Sequence, residues 1–450
     1  MRISIIGTGY VGIVTGACLA DVGHDVLCVD LDAAKVDALN AGRPTCHEPG
    51  LPELIERHAG RRLTATRDLA AAVAATELTM IAVGTPSSEG RIDLTAVLGA
   101  AGEIGRALAS KAARHTVIVK STVVPGTTDG PVREAIERAS GLKAGSGFGL
   151  GMNPEFLTEG TAVADFSRPD RLVFGAVDPR THEVLGQLYA SFDRVPIFRT
   201  NPSTAELIKY ASNALLATLI SFANELARLA ARLPGVDMAE VVRGVQASQY
   251  LTLRNGADTM RAPIASFIEA GCGFGGSCLP KDVTALAAQG RSLGLDMAML
   301  GSVLEINRTQ PDELMRLIDR QRPSLQGVPV TVLGLAFKPD TDDVRESPAF
   351  PVIDRLRARG ARITAYDPVV GAATGADRLP ALRGVELAES LAAAVAAAEV
   401  VVLVTRWTEF RTLGRLLHER GRSPLVVDGR RILDPADFTH YEGIGRAVAA

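Results

Sequence analysis

Lysine is scarce in this chain. Of its 48 basic residues, seven are lysine (Lys35, Lys111, Lys120, Lys143, Lys209, Lys281 and Lys338) and 41 are arginine. A lysine kept inside a Gly-, Pro- or Asn-rich motif therefore marks a place where a compact ammonium is wanted. Aromatic residues make up only 4% of the 450, with one tryptophan. No apolar run approaches the ~20 residues that cross a bilayer, so no membrane association is expected. The five cysteines (Cys18, Cys28, Cys46, Cys272 and Cys278) contain no CxxC pair and are odd in number. That excludes a disulfide framework and a CxxC metal site, so free thiols in the cytoplasm and no metal are expected. A strong excess of charge is also missing. The net charge is −3 and the pI about 6.2, which excludes a general nucleic-acid binder. Residues 1–7 enter a strand pattern at once, without the layout of a secretion signal.

What is present is an ordinary globular balance, 47% hydrophobic and 22% charged, over a length that predicts two or three compact units. Residues 2–200 alternate short apolar runs with helical stretches, the pattern of a parallel α/β sheet. Strands are expected at 3–6, 25–29, 78–83, 116–120 and 171–174. Residues 203–233 read as one helix of roughly 45 Å at ~1.5 Å per residue. Ser203 and Glu206 have capping-box spacing. Ile208, Ala211, Leu215, Leu219, Phe222, Leu226 and Leu229 form its apolar stripe, and Leu233-Pro234-Gly235 ends it. Such a helix can join domains or carry a dimer interface. Strand patterns return at 329–335, 361–366, 399–405 and 424–428. Residues 68–83 resemble 390–404, each an Ala-rich helix leading into a buried strand. The fold class expected is α/β. An N-terminal Rossmann domain (1–200) and a Rossmann-like C-terminal domain (319–450) flank a helical centre (201–318).

Gly7-Thr8-Gly9-Tyr10-Val11-Gly12 follows the first strand and opens a helix, and Asp30 ends the second strand. A GxGxxG in that setting is a dinucleotide fingerprint. The glycines admit the pyrophosphate, and a carboxylate at position 30 suits a ribose and repels a 2′-phosphate, favouring NAD. Lys35 could reach the same ribose. Thr85 and Thr122 follow the next strands, where loops line the ligand crevice.

The second motif is Gly273-Phe274-Gly275-Gly276-Ser277-Cys278-Leu279-Pro280-Lys281-Asp282. A thiol beside a helix start, with a lysine three residues on, is expected to have a lowered pKa and to act as a nucleophile. Cys272 lacks the Pro-Lys-Asp that follows and reads as structural. Cys18 and Cys28 read as core, and Cys46 lies in a Pro- and Gly-rich loop.

Together these stretches resemble the nucleotide-sugar 6-dehydrogenase family. The motifs are GTGYVG (7–12), VGTP (83–86), KSTVVPGT (120–127), NPEFLTEG (153–160) and IKYASNA (208–214). FIEAGCGFGGSCLPKD (267–282), GLAFKPDTDDVRESP (334–348) and YDP (366–368) complete them. The resemblance spans nearly the whole chain and implies an N-terminal NAD domain, a central dimerisation helix and a C-terminal UDP-sugar domain. It implies oxidation of an alcohol to an aldehyde, a thiohemiacetal on cysteine, a second oxidation to a thioester, and hydrolysis.

Residue by residue, the resemblance makes Cys278 the nucleophile. Lys209 and Asn213, one helical turn apart, contact the sugar and its oxyanion. Asp282 positions a water with Lys209, and Thr122 and Glu155 share that proton network. Glu155 and Glu159 both remain candidates for the hydrolytic base. It implies cofactor contacts from Gly7, Gly9, Val11, Gly12, Asp30, Lys35, Thr85, Thr122, Glu159, Lys281 and Arg345. Substrate contacts are implied from Glu155, Phe156, Leu157, Thr158 and Glu159, from Lys209 and Asn213, from Phe267, Ile268, Glu269, Ala270 and Gly271, and from Gly275 and Lys338. An arginine of a neighbouring subunit, Arg254 or Arg261, is implied to complete the sugar site of a homodimer.

Three features depart from the family pattern. Leu279 replaces a frequent Phe, Thr158 replaces a frequent Arg, and the segment 250–266 is long. The lead-in 270–274 and Lys338-Pro339-Asp340 favour the branch that makes UDP-glucuronate from UDP-glucose. GDP-mannose or a UDP-N-acetylhexosamine is the alternative substrate. A one-step β-hydroxyacid dehydrogenase and a non-catalytic NAD sensor are alternatives of other classes.

Overall fold

A computed structural model describes residues 1–447 except 89, 256–257, 372–374 and 377–378. It divides into two compact units, Met1–Ser212 and the chain from Asn213 onward. In the first unit, β1 (Arg2–Ile6), β2 (Asp25–Val29), β3 (Leu63–Thr66) and β4 (Leu78–Ile81) are followed by β5 (Thr116–Val119) and β6 (Gly149–Met152). β7 (Leu172–Ala176) and β8 (Ile197–Thr200) complete the set. The sheet order is β8-β7-β6-β5-β4-β1-β2-β3. All pairings are parallel except β6 with β7. The central strands β4 and β5 are buried along their whole length. That is why they read as unbroken apolar runs: parallel sheets are covered on both faces.

The hairpin β9 (Thr252–Asn255) and β10 (Asp258–Arg261) belongs to the second unit. So does a sheet of β11 (Pro329–Leu333), β12 (Arg362–Tyr366), β13 (Glu386–Leu387), β14 (Val400–Leu403), β15 (Leu425–Asp428) and β16 (Tyr441–Gly443). Its order is β13-β12-β11-β14-β15-β16, parallel throughout. Both sheets thus contain the 3-2-1-4-5-6 order of a dinucleotide fold, with a crevice where the order reverses. The resemblance between 68–83 and 390–404 is structural. The short helices α1 (Leu69–Ala75) and α2 (Leu391–Ala394) are capped by the side chains of Asp68 and Ser390, and each leads to the fourth strand of its sheet. The expected α/β class and two Rossmann-type domains are what the chain forms.

α3 (Pro202–Ala230) is a single helix of 29 residues that contributes to both units. One expectation about it, the capping box, is overturned. Ser203 is not its cap: Asn201 Oδ1 accepts from the Thr204 N–H at 2.8 Å. Glu206 does not close a capping box but turns away, accepting from the N–H groups of Gly126 (2.6 Å) and Thr128 (2.8 Å). The apolar stripe is only partly covered within the chain. Leu215, Phe222 and Leu229 are each about half exposed, whereas Ala214, Ala217, Ala223, Ala227 and Ala230 are buried. Small residues let neighbouring elements approach α3 closely, while Leu215, Phe222 and Leu229 are left outside.

Three strands of the first sheet were not expected. β6 lacks an apolar strand pattern because two of its four residues are glycine. A Cβ on Gly149 would lie 2.6 Å from Thr181 Oγ1, and one on Gly151 2.6 Å from the Gly175 carbonyl oxygen. The glycines are there to let layers pack, not to make a turn.

Glu206 is fully buried, and burial is the main reason its carboxyl pKa is raised. Its removal strands two N–H groups that hold the loop after β5. Glu206→Ala should cost about 3 kcal/mol and lower the melting temperature of the protein by roughly 6–12 °C. Thermal unfolding followed by circular dichroism checks this, and Glu206→Gln, which keeps an acceptor, should lose less.

Candidate active site

In the first unit the turn after β1 gives each motif glycine a separate task. Gly7 has φ +97°, and its N–H donates to the Val29 carbonyl at 2.7 Å. A Cβ there would meet the Ala82 carbonyl oxygen at 2.9 Å. A Cβ on Gly12 would come within 1.9 Å of the Gly7 carbonyl oxygen, so Gly12 sets the packing of the helix Tyr10–Asp21 onto the turn. At Gly9 nothing lies within 4 Å, which leaves open space at the helix N-terminus. A diphosphate suits that place, where N–H donors and the helix dipole converge.

Asp30 accepts from Thr8 N (2.8 Å) and Oγ1 (2.6 Å) on one carboxylate oxygen and from Asp32 N (3.0 Å) on the other. Burial raises its pKa, but these bonds and Lys35 outweigh it and keep the group ionised below its usual range. Its second oxygen retains acceptor capacity for a ribose hydroxyl. The open cradle and the ionised acceptor both fit NAD. Val11 is half-buried in the first helical turn. Thr85 Oγ1 donates to the Thr122 carbonyl at 3.0 Å, tying together the ends of β4 and β5.

A residue the sequence reading missed joins this turn to the next motif. Glu48 is buried and accepts from the Tyr10 hydroxyl, from Gly160 N at 2.7 Å and from Val163 N at 3.4 Å. Burial and Glu48 push the Tyr10 phenol pKa up, and the charge of half-buried Glu159 adds to this. The only sequence signal was an acidic residue in the Pro- and Gly-rich loop 44–50, which looked like solvent-exposed chain.

Glu155 lies in the loop after β6 and pairs with Lys209 of α3 at 2.9 Å, both side chains nearly inaccessible. Its other oxygen accepts from Leu157 N at 2.7 Å. Burial raises the Glu155 pKa, and the Lys209 ammonium, these bonds and Lys120 together hold it below the usual range. The Phe156 ring lies 3.9 Å under the Arg171 guanidinium, so a cation reaches this loop although Thr158 carries none. Thr158 is exposed, and its N–H donates to Asp165 at 2.9 Å.

In the second unit Cys278 is exposed and is the residue before α4 (Leu279–Ser292). The helix thus begins directly after the thiol, with Pro280 in its first turn, where a missing N–H costs nothing. Asp282 is buried in that turn. It accepts from Asn213 Nδ2 at 2.6 Å and from Lys281 Nζ at 2.6 Å. Cys272 is buried, its Sγ 3.4 Å from the Gly429 carbonyl, and burial pushes its thiol up to about 11, as befits a structural cysteine. Cys18 and Cys28 are buried as expected.

The glycine-rich loop is held by amide side chains from two helices. Asn224 of α3 accepts from Gly271 N (2.8 Å), and Gln310 of α5 (Ala298–Asp319) donates to the Gly271 carbonyl (2.8 Å). Asn307 of α5 bonds both the N–H and the carbonyl of Phe274, at 2.7 and 2.9 Å. The glycines approach the chain itself. A Cβ on Gly275 would lie 2.2 Å from the Glu346 carbonyl oxygen, and one on Gly276 would strike the Phe337 ring. Of the expected substrate loop, Ile268 is buried in the core, Phe267 and Ala270 are half-buried, and exposed Glu269 pairs with Arg406 at 2.6 Å. Arg345 is exposed and forms a two-pronged pair with Asp343. Lys338 lies 5.8 Å from the centroid of the Phe337 ring.

The second sheet repeats the turn of the first with a different outcome. Gly334 has φ +97°, and its N–H donates to the Tyr366 carbonyl at 2.8 Å, as Gly7 does to Val29. Asp367 stands where Asp30 stands. Its oxygens already accept from the N–H groups of Leu335, Ala336, Val369 and Val370 and from the Trp407 indole. Nothing remains for a ribose. At the end of β15, Asp428 holds the turn that presents Arg430. Arg430 Nε donates to the Val404 carbonyl at 2.5 Å, and its Nη1 lies beside Gly271. Arg430 was missed because the arginine-rich composition hid it.

The Glu155–Lys209 pair sets a pH dependence. The folded pKa of Glu155 is depressed, so its contribution is present above the unfolded value near ~4.3 and lost as pH falls through the folded value. Glu155→Gln leaves Lys209 buried without its counter-charge and should cost about 3 kcal/mol at pH 7. Urea unfolding across pH checks this, and the gap from the parent protein should narrow below pH ~4.

Residues 1–193, 203–309 and 331–435 match the NAD binding, central and UDP binding domains of the UDP-glucose/GDP-mannose dehydrogenase family. UDP-glucose 6-dehydrogenase AglM of Haloferax volcanii is 42% identical, over 99% of this chain and 100% of its own. GDP-mannose 6-dehydrogenase of Pseudomonas savastanoi pv. phaseolicola is 37% identical over 97% and 96%. A solved UDP-glucose dehydrogenase from the hyperthermophilic archaeon Pyrobaculum islandicum superposes with a TM-score of 0.89 at 41% identity, covering 99% of this chain and 98% of that one. With an NAD cradle in one unit and, in the other, a second Rossmann-type sheet whose Asp367 is already saturated by its own chain, the protein belongs to the UDP-glucose/GDP-mannose dehydrogenase family of NAD-dependent nucleotide-sugar oxidoreductases.

Proposed function

We propose that the protein oxidises UDP-glucose to UDP-glucuronate through thiohemiacetal and thioester forms of Cys278. The observation that carries this is the exposed Cys278 at the N-terminus of α4, one turn before the buried Asp282 that holds Asn213 and Lys281. A one-step alcohol dehydrogenase has no use for that thiol. NAD, held by the 7–12 turn and Asp30, would supply the hydride acceptor for both oxidations, one molecule for each. The residues of the chain supply the rest. The thiolate adds to the aldehyde carbon, helped by the helix N-terminus. Lys209 and Asn213 stabilise the oxyanion that develops. Asp282 and Thr122 order the water that attacks the thioester. Glu155 is the better of the two candidate bases, being ionised and fixed by Lys209 and Leu157 N.

UDP-glucose is favoured over GDP-mannose by the UDP binding domain match and by relatives of higher identity bearing that name. Arg430 and Lys338 follow strands β15 and β11 of the second sheet, where cations suit a diphosphate. The protein works as a homodimer through α3, whose exposed Leu215, Phe222 and Leu229 recur at seven-residue spacing and present an apolar strip to a second copy. Arg261 Nη1 is hydrogen-bonded to Gln246 at 2.9 Å. Exposed Arg254, on the hairpin formed by the long 250–266 segment, is therefore the arginine that a neighbouring site would receive. Among the described residues no helix is long and apolar enough to cross a membrane, in keeping with a cytoplasmic enzyme.

NADH counted per sugar nucleotide decides the reaction. Two NADH from UDP-glucose, with GDP-mannose and UDP-N-acetylglucosamine inert, is the expected result. Cys278→Ser should bind NAD normally and release at most one NADH per sugar; full turnover by this variant would remove the thioester route. Arg430→Ala should raise the KM for UDP-glucose roughly tenfold or more while leaving the Kd for NAD unchanged, as read by titration calorimetry.

A further inference from the structure

Lys120 is one of the few lysines of this chain, lies in the KSTVVPGT motif, and has no part in the chemistry above. It directly follows β5, with its side chain buried. Its Nζ donates to Asn153 Oδ1 at 3.0 Å and lies 3.4 Å from the Asn153 carbonyl oxygen. Asn153 is pinned on its other sides. Tyr189 donates to the same Oδ1 at 2.7 Å, Nδ2 donates to the Val173 carbonyl at 3.0 Å, and the N–H donates to the Val119 carbonyl at 2.9 Å. Two residues further, past the fixed φ of Pro154, stands Glu155.

We propose that Lys120 is a positioning residue for the Glu155–Lys209 pair. It anchors the 153–155 turn through Asn153, and its charge helps to keep Glu155 ionised. The titratable and charged groups acting on it are Glu155 from the loop after β6, Lys209 from α3 and the Tyr189 phenol. Two ammonium groups and one carboxylate thus share a dry site. Burial and Lys209 lower the Lys120 pKa to about 8, against the pull of Glu155. A guanidinium would bring five fixed donors where Asn153 offers two acceptors, which accounts for a lysine in a chain that otherwise prefers arginine.

The inference rests on the dehydrogenase reading above, and the test separates the two. Removing the charge at position 120 takes a cation from Glu155 and a like charge from Lys209. Glu155 then binds its proton more readily. The acidic limb of the kcat–pH profile for UDP-glucose oxidation, where Lys120 is charged in the parent, should therefore move up by about one pH unit in Lys120→Gln and Lys120→Met. Lys120→Arg, whatever its kcat, should keep the parent acidic limb. Superimposable profiles for Lys120→Gln and the parent would overturn the proposal, even with a lower kcat.

A second measurement serves if the charge-removing variants do not fold. Isotope-labelled lysines of the parent are titrated by NMR, their seven signals assigned with Lys→Arg variants. The Lys120 signal should titrate below the ordinary ~10.4 and fall further in Glu155→Gln. Titration together with the exposed lysines, unmoved by Glu155→Gln, would refute the coupling. A parent enzyme inert to UDP-glucose would refute the functional reading instead, and the lysine titration would still decide the role of Lys120.

Discussion

The architecture depends on one tight turn used twice. Leaving the first strand of a parallel sheet, the chain must reverse toward the crevice without filling it. A left-handed glycine does this in both sheets, Gly7 and Gly334, each with φ +97° and each bonded to the carbonyl at the end of strand two. A side chain at either position would strike the neighbouring strand end: Ala82 in the first sheet, Thr405 in the second. The crevice, the helix N-terminus and the carboxylate at the end of strand two all take their places from that turn.

From the same turn the two sheets diverge in chemistry. In the first, Gly9 leaves open space and Asp30 keeps an acceptor oxygen available. In the second, Leu335 and Ala336 are buried and Asp367 is saturated by its own backbone and an indole. The difference lies less in the fold than in how many donors the carboxylate already serves. A carboxylate has about four acceptor sites, and five donors point at Asp367.

The chemistry of the first unit gathers around buried charge. Glu155, Lys209 and Lys120 lie in a region where desolvation is costly, and it is the carboxylate that makes the two ammonium groups tolerable. In the second unit neutral amides do the equivalent work. Asn224, Asn307 and Gln310 satisfy both polar groups of Gly271 and Phe274, so the glycine-rich loop keeps one conformation without strand or helix around it.

By itself the sequence determined the α/β class, the two Rossmann-type domains, the long helix, the NAD fingerprint and the Cys278 loop. Each rests on a local pattern, either a period of apolar residues or a glycine motif beside a strand. Only the tertiary structure decided which face of α3 is buried, because its alanines pack closely while Leu215, Phe222 and Leu229 stay outside. It also turned Glu206 from a helix cap into a loop clamp, and made strand β6 from a glycine-rich segment without a strand pattern. Glu48, Asn307, Gln310 and Arg430 acquired their places the same way. Their partners stand tens to hundreds of residues away in the chain, as Glu48 does from Gly160. Hydrogen bonds across such separations leave no periodic trace, so only folding reveals them.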